Sequence, residues 1–150
     1  MPSGRTHLAI ELGLLGFYAI PLLLLVRAGH IAPWAAAAFA VSYLFSSVLL
    51  SPDLDLARSR PARRWRAGRF LWFPYALVFR HRGLSHHLLL GPLTRIAYLG
   101  ALLAFLLWGA GLLTQEIRVP RWTVLVPVLV GLYLPNQVHI VMDRLRTRRR

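Results

Sequence analysis

IAPWAAAAFAVSYLFSSVLLSPDLD, residues 31–55, decides the fold. Its first twenty residues, Ile31 to Leu50, carry no charge, and the next five carry two carboxylates, Asp53 and Asp55. A hydrocarbon core of ~30 Å needs ~20 helical residues to cross it. The stretch therefore predicts a transmembrane helix that delivers an acidic turn to one membrane face. Three other runs have the same character. Leu8 to Val26 has one acid, Glu11, and Leu88 to Leu113 has one charge, Arg95. Trp122 to Met142 holds a polar knot of Asn136, Gln137 and His139. The expected architecture is an all-α membrane protein with four transmembrane helices, at about 8–26, 31–50, 88–113 and 122–142, forming one domain over 1–150. No small-residue cleavage site follows the first run, so it is expected to stay as a helix and not to be removed as a signal peptide.

A fifth apolar piece, FLWFPYALVF at 70–79, is too short to span and contains Pro74. Its aromatics predict a short interfacial or re-entrant helix within the polar loop between the second and third spans.

Composition narrows the function. The chain is 57% hydrophobic, with a net charge of +13 carried by arginine alone. It has no cysteine, which excludes disulfides, thiolate nucleophiles and Cys-type zinc sites. A basic chain invites a nucleic-acid reading, but that explains only the charge. A membrane explains both the charge and the apolar runs, so membrane lipids are the expected partners and no specific nucleic acid is. With both termini in the cytoplasm, fourteen arginines fall inside and three, Arg27, Arg118 and Arg121, fall outside. The positive-inside bias thus predicts a multi-pass protein of the inner, cytoplasmic membrane with cytoplasmic termini.

On that topology every aspartate and five of the six histidines gather at the cytoplasmic face; His30 alone lies opposite. His139 and Asp143 are four residues apart on one helix, and so are His7 and Glu11. Side chains at that spacing leave a helix on the same face. Asp53 and Asp55 flank one residue in a turn. In HRGLSHH (81–87) a glycine turn can bring His81 and His86 together. Imidazoles and carboxylates in this mixture suit a divalent metal: zinc first, with manganese or iron as alternatives.

Each piece also has a plain structural explanation. Ser51-Pro52-Asp53 can be a helix cap. HRGLSHH can be a basic cluster touching anionic lipid. His139 with Asp143 can order a helix end, and Arg95 can extend its head to the interface. None of these explains why the groups share one face.

The ordered set MPSGRTH at the start, SPDLD at 51–55, Trp72 to Tyr75, HRGLSH at 81–86, Arg95 with Tyr98 and the late His139-x-x-x-Asp143 resembles the DUF2227 family of metal-binding membrane proteins. The same skeleton is similar to the inner-membrane metal-dependent hydrolases of the DUF457 type. The likeness covers nearly the whole chain. It implies a metal site at His7, Asp53, Asp55, His81, His86, His139 and Asp143. Where the family pattern often has an acid after the first histidine, this chain has Leu8; Glu11, one turn on, offers a carboxylate in its place. The combined expectation is a metal-dependent hydrolase. Asp53, Asp55 and Glu11 are its candidate catalytic groups. Arg82 and Arg95 hold an anionic lipid or phosphoester, since guanidinium forks suit phosphate. The alternative is a non-catalytic protein in which the ion ties helix ends together.

Overall fold

The computed structural model describes residues 4–56, 59–79, 87–112 and 122–147, without the side chains of residues 55, 146 and 147. All regular structure among them is helical. Helix α1 (Gly4–Arg27) starts earlier than its apolar run and carries Pro21 inside. It ends in a Schellman turn. Gly29, at φ 73°, lets the His30 N–H reach the Leu25 carbonyl at 3.0 Å and the Gly29 N–H reach Val26 at 3.0 Å. Helix α2 (Pro33–Leu49) begins with proline at its first turn, where a missing N–H costs nothing.

After α2 the chain folds over its end. A 3₁₀ turn (Pro52–Asp55) is capped by Ser51, whose hydroxyl accepts from the Asp53 N–H at 3.5 Å. A short α3 (Arg60–Arg64), a second 3₁₀ stretch (Arg66–Trp72) and α4 (Phe73–Val78) follow. Helix ends leave carbonyls without partners. Here Arg64 donates to Val48 O at 3.0 Å and Trp65 Nε1 to Leu49 O at 2.9 Å, so the loop satisfies the end of α2. Leu50, Leu54, Ala62, Trp72 and Tyr75 form a small core beneath it.

Helix α5 (Leu90–Gly109) ends in the same kind of turn as α1. Gly111, at φ 68°, allows the Leu112 N–H to bond Leu107 O at 2.9 Å. Helix α6 (Trp122–Thr147) contains Pro127 and Pro135.

The most extensive helix contact is between α2 and α6. Gly131 makes it close: a Cβ there would lie 2.1 Å from Ser42 Oγ and 2.6 Å from Phe39 O. Polar bonds run along the same seam. Ser46 Oγ donates to Leu132 O at 2.6 Å, and Asn136 Nδ2 donates to Ser46 Oγ at 2.9 Å. Small residues and hydroxyls are what let two helices approach without water.

Three helices, α1, α5 and α6, are long and apolar enough to cross a membrane; α2 is shorter. At 17 residues α2 spans about 25 Å at ~1.5 Å per residue. Its apolar run was longer because Ile31 and Ala32 lie in the preceding turn and Leu50 lies past the last turn. The segment 70–79 is likewise not one helix: it is split at Phe73 between 3₁₀ and α geometry. Its rings divide, with Trp72 and Tyr75 buried and Phe70 and Phe73 exposed.

Candidate metal centre

Five of the expected site residues converge: His7, Glu11, Asp53, His139 and Asp143. Helix α1 contributes His7 and Glu11, its two buried residues. The 3₁₀ turn contributes Asp53, and α6 contributes His139 and Asp143. The i, i+4 pairs interlock crosswise, the histidine of each helix against the acid of the other. His7 Nε2 lies 3.2 Å from Asp143 Oδ1, and His139 Nδ1 lies 3.3 Å from Glu11 Oε1. His139 Nε2 faces Asp53 Oδ2 and Asp143 Oδ2, each at 3.8 Å. The two imidazoles stack with centroids 3.8 Å apart and planes 13° from parallel. One donor atom from each of His7, Glu11 and His139 lies within 4.8 Å of the others.

Burial gives the cluster its chemistry. His7, Glu11 and His139 are each 3% exposed, whereas the Asp53 side chain is 27% exposed and marks the open edge. Burying ionisable groups is costly unless they are paired or ligate a metal. His7 Nδ1 and His139 Nε2 are buried and make no hydrogen bond among the described residues. The His139 Nε2 lone pair, left over beside the carboxylates of Asp53 and Asp143, is the kind of donor that a divalent cation takes. The residues therefore fit a bound metal.

Two residues of α2 lie beside Glu11. The Tyr43 hydroxyl donates to the Glu11 carbonyl oxygen at 3.0 Å, and the Ser47 side chain lies against the carboxylate. Neither was foreseen; the only signal was hydroxyl groups four residues apart in an otherwise apolar run. Arg95, in α5, is fully buried, and its charge acts on His139. It does not extend to an interface. Tyr98, one turn on, donates to Leu71 O. Nearby, the Tyr75 and Thr94 hydroxyls hydrogen-bond at 3.1 Å.

His81, Arg82, His86 and the Asp55 side chain lie outside the described residues. His87, the last residue of the histidine-rich stretch, is exposed. Its Nδ1 accepts from the Leu89 and Leu90 N–H groups at 3.3 and 3.2 Å, so it caps the entry to α5. His30 sits at the turn between α1 and α2, lining an apolar cleft with Trp34 and Trp122.

Fold and site together define an all-helical protein with a buried histidine–carboxylate cluster suited to a metal ion. The chain belongs to DUF2227, a family of uncharacterized metal-binding proteins, whose model matches residues 2–150. An uncharacterized protein of Aquifex aeolicus (strain VF5) is 48% identical over 61 residues, 41% of this chain. That match spans 43% of the relative, so the chain covers less than half of its length. No solved structure matches.

Proposed function

We propose that this protein is a membrane-embedded, metal-dependent hydrolase whose site opens on the cytoplasmic face. The buried convergence of His7, Asp53, His139 and Asp143 from three separated segments, with His139 Nε2 left without a hydrogen bond, carries the metal site. Asp55, His81 and His86 belong to the same proposed ligand set. The bare flanks of the helices support the membrane setting. Phe17, Ile20, Leu23 and Leu24 on α1 are each at least 61% exposed, as are Phe70, Phe73 and Leu77 beside the loop. Such a patch in water would be an aggregation liability.

A divalent cation in such a site supplies Lewis acidity toward a phosphoryl or carbonyl oxygen. The chain's own groups supply the rest. Asp53, at the open edge, is placed to take a proton from an attacking water, with Asp55 as a second candidate. Arg95, fully buried in α5, offers a fixed positive charge to an anionic substrate, and Arg82 a second one. A lipid or phosphoester fits a basic pocket at membrane level. Elemental analysis of detergent-purified protein is the first test. Wild type should carry stoichiometric metal, zinc being the first expectation, and the His139→Ala, Asp143→Ala double variant should carry none. Equal content would remove the site. Asp53→Asn should then abolish phosphoester hydrolysis with the fold intact.

The burial of His7, Glu11 and His139 favours a second reading, in which the ion ties α1 to α6 and no substrate is turned over. Metal loss would then lower stability, and a panel of phosphomonoesters, phosphodiesters and peptides would all remain intact.

A further inference from the structure

Glu11 belongs to the cluster by distance, yet its contacts set it apart from the other acids. Its Oε1 meets His139 at Nδ1, at 3.3 Å and with hydrogen-bond geometry. Asp53 and Asp143 meet the same ring at its other nitrogen, Nε2. The lone pairs of the two nitrogens of an imidazole point away from each other. A cation on Nε2 is therefore out of reach of an oxygen bonded to Nδ1–H. Three observations favour the Nε2 side as the ion's place. Two carboxylates face Nε2, against one at Nδ1. Asp143 also contacts Nε2 of His7, which brings the second imidazole to the same side. Asp53 opens that side to the surface, whereas Glu11 is only 3% exposed.

Resting on the metal-binding reading above, we infer that Glu11 is a positioning residue: its carboxylate accepts from His139 Nδ1–H and so presents the Nε2 lone pair to the metal. Metal-ligating histidines almost always donate their other N–H to such a partner, which fixes the tautomer and the ring orientation. Tyr43 serves that role by fixing the turn of α1 that carries the carboxylate, through its bond to the Glu11 carbonyl.

The test compares Zn²⁺ affinity and stoichiometry for detergent-solubilised wild type, Glu11→Gln, Glu11→Ala and Asp143→Asn. The glutamine amide oxygen can still accept from Nδ1–H, so Glu11→Gln should keep one-to-one stoichiometry with wild type and lose less than ~10-fold in affinity. Glu11→Ala, with no acceptor, should lose ~10–100-fold, the range seen when outer-shell partners are removed. Asp143→Asn removes a ligand and should lose stoichiometric binding. If Glu11→Gln is as damaging as Asp143→Asn, Glu11 is itself a ligand and the inference is wrong. Nitrogen-15 spectra of histidine in the metal-free wild type give a readout independent of any variant's folding. His139 should carry its proton on Nδ1; a proton on Nε2 overturns the inference. Wild type that binds no Zn²⁺ overturns the metal-binding reading itself, a result separable from the failure of Glu11 alone.

Discussion

At the scale of single residues the chain is economical with charge. It has five acids among 150 residues, and three of them, Glu11, Asp53 and Asp143, meet at two histidines. That scarcity made the cluster legible before any coordinates: an acid in or beside an apolar run needs a partner, and i, i+4 spacing says which side chains leave a helix together. The pairing across helices was not legible. Spacing predicts that His7 and Glu11 share a face, not that each reaches the opposite helix. That outcome depends on how α1 and α6 pack. Tyr43 illustrates the same limit, since its bond to the Glu11 carbonyl joins residues 32 apart in sequence. Tyr43→Phe should cost about 1 kcal/mol, the usual net worth of one buried hydrogen bond, seen in thermal melts of the metal-loaded protein. Zn²⁺ affinity should change only a few-fold, because the carboxylate remains. His139→Phe keeps a flat ring for His7 to stack on but removes both nitrogens. Its metal content should fall to background while the protein stays folded, and retention of the metal would exclude His139 as a ligand.

Elements were legible in kind and less so in extent. Hydropathy located every long helix, but it cannot see where a helix stops inside an apolar run. Gly111 ends α5 while the sequence stays apolar, because left-handed φ suits glycine and allows the carbonyls of the last turn to be satisfied. The α2–α6 seam was hidden for a related reason: Gly131 in an apolar helix looks like a weak helix former until the neighbouring backbone is seen against it. Gly131→Ala should destabilise the protein by about 1–3 kcal/mol, the usual cost of overpacking. The effect should reach the metal as well. Gly131 is eight residues from His139, about 12 Å along α6, so a helix pushed off α2 carries both His139 and Asp143 with it. Shortening Ser42 to alanine should not restore stability, since the Phe39 carbonyl would still lie 2.6 Å from the new methyl. Full rescue in the Gly131→Ala, Ser42→Ala double variant would mean that the hydroxyl alone sets the spacing. Melting temperature and Zn²⁺ affinity measured on the same samples decide it.

For the whole molecule, metal site and membrane setting lead to linked expectations. An ion held between α1, the 3₁₀ turn and α6, as proposed, would bind the folded state only. Free metal at a hundred times its dissociation constant should therefore contribute about 2.7 kcal/mol. Chelation should lower the melting temperature by roughly 5 °C or more in wild type, and Asp143→Asn should show no response. The proposed orientation rests on the arginines. Arg60 to Arg69, on α3 and the 3₁₀ stretch after it, lie beside the acidic turn of the cluster, while Arg27 closes α1 at the far end. A chain without cysteine is a clean background for testing this. A single cysteine at Ala28, in the turn after α1, should react with a membrane-impermeant maleimide on intact cells. One at Ser59, just before α3, should react only after the membrane is opened. The reverse pattern would place the metal centre outside, where the ~10 Å reach of screened surface charge puts its arginines against the wrong leaflet. Equal labelling of both positions without permeabilisation would mean that these apolar helices do not separate two compartments, and that their bare flanks are covered by protein instead of lipid.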